Sequence, residues 1–315
     1  MVTLIQLEYL VAVDTYRHFA TAAEKCFVTQ PTLSMQIKKL EEQLDIIVFD
    51  RTKQPVIPTE QGKKIIEQAR IVLLESKRID QIVQEVKDEV SGELRIAVIP
   101  TIAPYLLPLF TGDYKRKHPN VNLRIEEQVT ETIVEKLEKD LLDVGILVTP
   151  LHEKQILEMP LYYEEMLIYS NKNHPLVTQP VIKVKDIATP EIWLLNDGHC
   201  FRHQVVNLCD LHELKSDTLP FEFEGGSLET LMRIIDKEGG YTLIPELAEE
   251  VIPEERKMQV RHFTQIVPLR EVSLVFTRRF AKTKMISLLA DTIKNKVPKH
   301  YLDKTRGNIV EWKAK

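Results

Sequence analysis

Two cysteines lie nine residues apart in a segment that also carries histidines and an arginine. Cys200 is placed in the first turn of a predicted helix and Cys209 near its other end. The N-terminus of a helix lowers the pKa of a thiol, and so do nearby cations such as Arg202 or a protonated His199 or His203. Because the thiolate is the nucleophile, this pattern predicts that Cys200 is reactive.

A continuous helix would hold these two thiols apart. Nine residues at about 1.5 Å per residue separate the Cα atoms of Cys200 and Cys209 by about 13–14 Å along the axis, on nearly opposite faces. A disulfide requires Cα atoms roughly 4.4–6.8 Å apart. Forming the bond would therefore unwind the segment and turn a local oxidation into a larger conformational change. Spacing alone is also compatible with two unrelated helical cysteines.

These residues belong to a chain of 315 residues, long enough for two or three domains. Apolar residues make up 43% and charged residues 28%, with 10 Gly and 17 Pro, which excludes disorder, collagen-like repeats and low complexity. The net charge of −5 does not point to nucleic acid or an anionic membrane as a partner. No apolar run reaches the roughly 18 residues of a membrane span, and the N-terminus lacks the basic region of a signal peptide. We therefore expect a cytoplasmic protein with no membrane partner.

The cysteine count carries a further exclusion. Three cysteines do not make a disulfide scaffold in a chain of this length. Cys26 is most simply a small buried apolar residue. The nine His and three Cys show no metal-ligand spacing, so we expect no metal and no other cofactor.

The pattern of residues 1–60 predicts short helices joined by tight turns. A third helix begins at Pro31, where proline is tolerated, and Thr29 can cap its free N–H groups. The apolar face of this helix has the 4, 3, 4 spacing of Leu33, Ile37, Leu40 and Leu44. Two short strands of a hairpin are predicted at 47–49 and 55–58.

Two short helices joined by a tight turn can insert the second helix into the major groove of DNA. The side chains that can hydrogen-bond base edges or phosphates are Gln30, Thr32, Ser34 and Gln36, and those that can reach phosphates are Lys38, Arg51, Lys53, Lys63 and Lys64. Residues 1–66 hold eight Lys+Arg and eight Asp+Glu, so binding would depend on the arrangement of charge and on dimeric avidity. The pattern alone is equally compatible with a helical bundle that does not bind DNA.

Residues 61–90 predict one long helix with a narrow apolar stripe. The stripe is formed by Ile65, Ala69, Val72, Ser76, Ile79, Val83, Val86 and Val90. A helix of about 30 residues would be about 45 Å long. A single narrow stripe on so long a helix favours pairing with a second helix, and so a dimerising linker. The alternative is a long helix that packs on its own domain.

Residues 91–300 alternate strands and helices. Strands are predicted at 94–99, 121–126, 144–148, 167–169, 192–195, 241–244 and 272–276, and helices at 102–117, 131–140, 198–212, 227–238 and 283–296. Asp197 can cap the helix that contains Cys200. This order predicts a largely parallel sheet with helices on both faces. The polar tail, residues 301–315, is expected to be frayed.

The first 60 residues resemble the winged helix-turn-helix of LysR-type transcriptional regulators. The resemblance rests on 7–10, 18–23, 28–34, Ile37, 40–41, 49–51 and 59–62. It implies an α/β protein: a winged helix-turn-helix, a linker helix that dimerises, and a periplasmic-binding-protein-like (type 2) effector domain with two α/β subdomains. It also implies promoter DNA and RNA polymerase as partners, and a homodimer or homotetramer. The positions that would face DNA are Thr29, Gln30, Pro31, Thr32, Ser34, Gln36, Lys38 and, in the wing, Arg51.

Residues 197–209 resemble the redox loop of the members of this family that sense hydrogen peroxide. The stretches 99–101, 104–108, 227–231 and 242–245 agree with that resemblance. It implies that peroxide oxidises Cys200 to a sulfenic acid, that Cys209 resolves it into a disulfide, and that a glutaredoxin- or thioredoxin-type reductant resets the pair.

Four further residues receive roles from the same resemblance. Thr101 and Thr130 would hold peroxide and water, while His199 and Arg202 would polarise the O–O bond and stabilise the thiolate. By sequence alone, either threonine could equally be a helix cap. His203 departs from the pattern, because an acidic residue is expected after Arg202.

The leading hypothesis is a redox-responsive, DNA-binding activator of the oxidative-stress response, not an enzyme. A LysR-type regulator that responds to a small metabolite in the interdomain cleft, with incidental cysteines, is the alternative. A thiol-dependent peroxidase is a third reading. The predicted helix-turn-helix and long linker helix argue against a peroxidase, since a catalyst needs neither element.

Overall fold

The computed structural model describes residues 1–86, 90–187, 189–209, 219–277 and 282–311. The chain divides near residue 90 into two compact units, and each is described by itself. No helix among these residues is long and apolar enough to cross a bilayer.

The N-terminal unit is a helical bundle with a small hairpin. Its elements are α1 (Leu4–Tyr16), α2 (Phe19–Lys25), α3 (Gln30–Leu44), β1 (Phe49–Asp50), β2 (Ile57–Pro58) and α4 (Glu60–Val86). The helix predicted to begin at Pro31 is confirmed as Gln30–Leu44, and the predicted hairpin is confirmed with shorter strands that pair antiparallel. The last part of the predicted linker helix, 87–89, lies outside the described residues.

Local capping explains where these helices start. The Thr3 hydroxyl and the Gln6 side chain form a reciprocal capping box at α1, and the Thr29 hydroxyl accepts from the backbone of Thr32 at α3. The buried side of α3 is made by Leu33, Ile37 and Leu40, all 0% exposed. Because these residues occupy one stripe, the polar residues between them face outward.

The long helix α4 packs on its own unit at one end. Ile66 and Ala69 are buried, and the Arg70 guanidinium pairs with Asp14 of α1 at 2.8 Å. Farther along, Val72 and Ile79 are 38% and 64% exposed. The predicted apolar stripe is thus used internally near its start and is uncovered in its middle.

The second unit is built on one curled sheet. Its strands are β3 (Gly92–Val98), β4 (Val121–Glu127), β5 (Val144–Thr149), β6 (Ile156–Ser170), β7 (Tyr241–Pro245), β8 (Val260–Arg261), β9 (Pro268–Thr277) and β10 (Asn308–Ile309). The main path runs β4-β3-β5-β9-β6-β7.

The prediction of a largely parallel sheet is wrong. β3 pairs parallel with β4 and β5, but β9 pairs antiparallel with β5 and β6, and β6 pairs antiparallel with β7 and β8. The reason is that β6, at 15 residues, serves both halves of the sheet. The alternation of strands and helices does not encode the direction of such a pairing.

Helices cover this sheet: α5 (Ala103–Lys117), α6 (Thr130–Glu138), α7 (Cys200–Cys209), α8 (Leu228–Glu238), α9 (Glu246–Glu249) and α10 (Thr283–Lys294). The predicted strand at 192–195 is wrong, because that stretch forms an isolated bridge between Ile192 and Tyr241 rather than a strand. The predicted helix over 198–212 is confirmed at Cys200–Cys209, and its last residues fall outside the described chain.

The expectation of a frayed tail is also wrong as far as residue 311. Turns of 3₁₀-helix cover Lys299–Leu302 and Lys304–Arg306, and β10 pairs parallel with β9. Tyr301 is 1% exposed, with its ring 6.0 Å from that of Tyr162. The polar composition of the tail does not reveal that it is ordered, because one buried aromatic residue and one backbone pairing anchor it.

A buried carboxylate links β3, β5 and the start of α10. Asp143 is 3% exposed; it accepts from the backbone N–H and Nη2 of Arg95, each at 2.8 Å, and from Lys282 Nζ at 2.7 Å. Burial raises the pKa of Asp143, but Arg95 and Lys282 outweigh it and hold the pKa below its ordinary value.

We expect Asp143→Asn to lower the free energy of unfolding by about 2 kcal/mol, because it leaves two cations without their counter-charge. Since the folded-state pKa is depressed, this contribution is present above the unfolded pKa near 4 and is lost as pH falls through the folded value. Chemical denaturation at pH 7 and at pH 3 measures both effects. Glu238→Gln, on an exposed carboxylate, is the control, and equal stability of the two variants at pH 7 would contradict the prediction.

Candidate redox site and nucleic-acid interface

Helix α7 begins at one cysteine and reaches the other. Cys200 is its first residue and follows a turn in which Gly198 has φ 93°, a conformation that favours glycine. Both thiols are free and buried, with Cys200 3% and Cys209 4% exposed.

Cys200 and Cys209 lie in one continuous helix, as the predicted incompatibility of helix and disulfide requires. A continuous α-helix of nine steps separates the two Cα atoms by about 13–14 Å along its axis. That is about twice the distance a disulfide tolerates. In this state, therefore, the two thiols cannot bond.

The environment of the Cys200 thiol differs from the sequence prediction. Burial raises the pKa of Cys200, while Arg270, the Thr130 hydroxyl and the Phe201 backbone lower it by less. The prediction that the helix N-terminus and its neighbours leave a net lowered pKa is thus wrong for this state. The cause is complete burial, which penalises the thiolate more than nearby dipoles and a cation favour it.

The cation at this site is Arg270, which the sequence analysis missed. It lies in β9, is 0% exposed, and holds its guanidinium 4.7 Å above the Phe201 ring. Its Nη2 donates to Thr101 Oγ1 at 3.3 Å, whereas Nε and Nη1 have no hydrogen-bond partner among the described residues. The available signal was a charged residue just before the predicted strand at 272–276, next to Glu271, but nothing in the sequence tied Arg270 to Cys200.

Arg270 has a buried counter-charge. Glu164 of β6 is 1% exposed, and its Oε1 lies 3.7 Å from Arg270 Nη1. Burial raises the pKa of Glu164 to about 7, although Arg270 opposes the shift. A guanidinium with one distant counter-ion and unpaired N–H groups retains the capacity to stabilise a second negative charge.

The two predicted threonines lie in this buried region. Thr101 follows β3 and accepts from Arg270, and Thr130 begins α6; each is 1% exposed. The Thr130 hydroxyl lies near the thiol, yet no described atom meets hydrogen-bond geometry with it. Neither threonine is a helix cap, because the N-cap positions of α5 and α6 are Ile102 and Val129. Both hydroxyls are therefore buried polar groups with no capping role.

His199 is a buried histidine that packs against Gly226. His199 is 7% exposed, and burial lowers its pKa although Glu131 opposes the shift, so the ring is neutral near pH 7. Its ring packs so closely on Gly226 that a Cβ there would lie 2.4 Å from Nε2. A neutral imidazole can donate or accept a hydrogen bond but adds no positive charge.

Arg202 is bound to the turn that precedes the helix. Its Nε pairs with Asp197 Oδ1 at 2.8 Å and its Nη1 donates to the carbonyl of Leu195 at 2.9 Å. The carboxylate that the sequence assigned to capping α7 is thus paired with Arg202. His203, the residue that departs from the family pattern, donates its backbone N–H to the carbonyl of His199 at 3.4 Å.

An open cleft of about 380 Å³ has His199 in its lining. It is lined by Pro100, Pro104, Glu127, Gln128, Val129, His199, Gly226, Ser227, Leu228 and Glu229. His199 is a wall of the cleft and the residue before Cys200. A solvent-borne molecule in the cleft therefore meets the imidazole of the residue that precedes Cys200.

The N-terminus of α3 forms the candidate nucleic-acid interface. Gln30, Pro31, Thr32 and Lys38 are exposed, and Ser34 and Gln36 are half-buried. The Thr29 hydroxyl bonds the Thr32 hydroxyl at 2.8 Å while it caps the helix. The predicted residues thus share the outward side of one helix, over the buried stripe of Leu33 and Ile37.

Arg51 in the hairpin is tied to α3. Its Nη2 pairs with Glu41 Oε2 at 2.7 Å, and the other oxygen of Glu41 accepts from the backbone of Val48 and Phe49. The guanidinium also stacks over the Phe19 ring at 5.2 Å. Arg51 therefore fixes the wing to α3, and its side chain remains partly exposed.

Comparison with known families assigns both units. Residues 4–63 match the bacterial regulatory helix-turn-helix protein of the lysR family, and residues 87–298 match the LysR substrate binding domain. The chain belongs to the LysR family of transcriptional regulators.

Relatives of this LysR-family chain include peroxide regulators. It is 36% identical over 272 residues to the hydrogen peroxide-inducible genes activator of Haemophilus influenzae, covering 86% of this chain and 89% of that one. It is 34% identical over 298 residues to the DNA-binding transcriptional dual regulator OxyR of Escherichia coli, covering 94% and 96%. A full-length OxyR variant from Pseudomonas aeruginosa has a similar structure, with TM-score 0.78, 32% identity and coverage of 94% and 99%.

We expect Arg270→Met to raise the pH midpoint of Cys200 alkylation by about one unit or more, because it removes the cation that lowers the thiol pKa. The background is Cys26→Ser with Cys209→Ser, so that iodoacetamide reports on Cys200 alone. Adding Glu164→Gln avoids an unpaired buried carboxylate. Arg202→Met is the matched control, since its guanidinium is held by Asp197, and equal shifts from both arginines would contradict the assignment.

We expect Gln30→Ala in this LysR-family regulator to weaken binding to its DNA site about tenfold, as the loss of a base-edge hydrogen bond does. The site is taken from a random pool selected by the unmodified protein, and anisotropy measures the affinity. Gln43→Ala, exposed near the other end of α3, is the control. Equal effects from the two glutamines would exclude the N-terminus of α3 as the reading surface.

Proposed function

We propose that this chain is a transcriptional activator switched by hydrogen peroxide through a reversible Cys200–Cys209 disulfide. One observation carries the proposal: Cys200 begins the helix that contains Cys209, and it is buried near Arg270 and Thr130, with Thr101 bonded to Arg270. The names of the Haemophilus and Escherichia relatives support the same signal.

The chemistry begins with loss of the Cys200 proton. The thiolate attacks one peroxide oxygen, the O–O bond breaks, and the leaving hydroxide takes up a proton, giving Cys200 sulfenic acid and water. The Cys209 thiol then attacks the sulfenic sulfur, and the hydroxyl leaves as a second water. Two thiols are oxidised to one disulfide while one peroxide is reduced to two waters.

The buried polar groups divide this work. Arg270 stabilises the developing thiolate, and the Thr101 and Thr130 hydroxyls hold the peroxide and the water that leaves. His199, neutral and at the wall of the cleft, offers a hydrogen bond to the O–O unit without a charge. Arg202 acts by holding the turn before α7 through Asp197, so its effect on the thiolate is indirect.

Oligomerisation and DNA binding complete the regulator. We assign residues 1–60 to DNA binding, 61–90 to dimerisation and 91–300 to redox sensing, with the tail through 311 packed on the sensing unit. The exposed Val72 and Ile79 of α4 support a homodimer, which would assemble further into a homotetramer on promoter DNA. RNA polymerase is the output partner, and a glutaredoxin- or thioredoxin-type protein resets the disulfide in the reducing cytoplasm.

This use of peroxide is signalling rather than enzymatic turnover. Each chain consumes one peroxide and then waits for reduction. The open cleft supports a second candidate, a LysR-family regulator that binds a small metabolite among Pro100, Gln128 and Ser227. The two candidates differ in whether Cys200 is required.

We expect near-stoichiometric peroxide to remove two of the three free thiols and to change the promoter footprint. Cys200→Ser and Cys209→Ser should each abolish the footprint change, and Cys26→Ser should keep it. In Cys209→Ser the sulfenic acid should accumulate and be trapped by dimedone.

Three results would contradict the proposal. An unchanged footprint after disulfide formation would remove the regulatory role, and a normal response from Cys200→Ser would favour the metabolite candidate. Consumption of many peroxide equivalents per chain with a thiol reductant would favour a peroxidase.

A further inference from the structure

We propose that residues 299–311 form a C-terminal strap that holds α7 in its reduced, helical form and is released when the disulfide forms. This inference rests on the proposed function, because it takes the Cys200–Cys209 disulfide as the oxidised state. It adds a second element that moves with α7 and that tunes how readily the disulfide forms.

The strap is fastened to β9 beside the redox site. The backbone N–H of Asn308 donates to the carbonyl of Val267 at 2.9 Å, and that of Val310 donates to the carbonyl of Leu269 at 2.8 Å. Leu269 is the residue immediately before Arg270. The end of the strap thus extends the sheet at the strand that supplies the cation of the thiol site.

Two side chains of α7 bind the same end of the strap. Gln204 Nε2 donates to the carbonyl of Val310 at 2.6 Å, and Asn207 Nδ2 donates to the carbonyl of Glu311 at 3.2 Å. Gln204 is 0% exposed, so its amide depends on protein partners rather than on solvent. Both residues lie between the two cysteines, in the segment that must unwind.

The other end of the strap is anchored independently of α7. Tyr301 is buried against Tyr162, and Arg306 Nη2 donates to Glu246 Oε1 at 2.7 Å and to Glu165 Oε1 at 2.9 Å. Arg306 is also held over the Tyr301 ring, at 5.4 Å. Release on unwinding of α7 is therefore expected at 308–311, while 299–306 stays in place.

Linkage fixes the sign of the effect. The bonds from Gln204 and Asn207 exist only with α7 helical, so they favour the reduced form over the disulfide. Because the coupling is reciprocal, a change that breaks the bonds between the strap and α7 favours formation of the disulfide. Formation of the disulfide in turn favours release of the strap. The strap therefore raises the amount of oxidant required to switch the protein.

Hydrogen exchange of the full-length protein tests the release. In the oxidised form, the amides of Asn308 and Val310 should exchange at least tenfold faster than in the reduced form, because the released strap separates from the β9 carbonyls that accept from them. Amides of β5 serve as the internal reference. Cys209→Ser treated with peroxide is the matched control, since it is oxidised but cannot form the disulfide, and its strap should stay protected.

Variants test the reciprocal effect. Gln204→Leu with Asn207→Ala should raise the disulfide-to-thiol ratio at a fixed glutathione ratio about fivefold, as expected for lost hydrogen bonds. Gln179→Leu removes a surface amide that bonds the nearby carbonyl of Val181 and should leave the ratio unchanged. Far-ultraviolet circular dichroism of the reduced variants confirms that they are folded.

The outcomes separate the two proposals. If mass spectrometry finds the disulfide while Asn308 and Val310 remain protected, the strap is excluded and the peroxide switch stands. An unchanged ratio in the folded double variant also excludes the strap. If no disulfide forms with peroxide, the strap and the proposed function both fail.

Discussion

The fixed rise of the α-helix is the constraint on which the site depends. Cys200 and Cys209 begin and end the described helix, so the geometry that packs both thiols into the core also prevents their bond. The helix and the disulfide therefore compete for one stretch of backbone. Any contact made only by the helical form, whether from the sheet, the cleft or the C-terminus, becomes part of the free energy that oxidation must overcome.

Burial sets the second requirement, because a buried thiol resists ionisation. In this fold Arg270 favours the thiolate of Cys200. A fully buried guanidinium itself needs a counter-charge, and Glu164 supplies one at 3.7 Å. The pair is too long for a direct hydrogen bond, and the pKa of Glu164 is raised to about 7. Arg270 is thus incompletely neutralised, and the site can accept the negative charge of a thiolate that burial alone would exclude.

Local pattern was sufficient for the helices and insufficient for the site. The helix from Cys200 and the stripe of Leu33, Ile37 and Leu40 follow from short-range spacing, and the structure contains both. Arg270 and Glu164 lie 70 and 36 residues from Cys200 along the chain, on strands whose pairing direction no periodicity encodes. The predicted lowering of the thiol pKa was wrong for the same reason, since full burial arises from long-range packing.

The neutral state of the thiols also limits how the proposed disulfide could affect DNA binding. Burial raises the pKa of both cysteines, that of Cys209 to about 12, so the resting pair carries little charge, and the disulfide carries none. Oxidation therefore leaves the electrostatic attraction to phosphates almost unchanged, in a chain whose first 66 residues already hold equal numbers of acidic and basic side chains. Under the proposed function, a response at the promoter would then come from a change of conformation, because unwinding α7 changes backbone geometry and almost no charge.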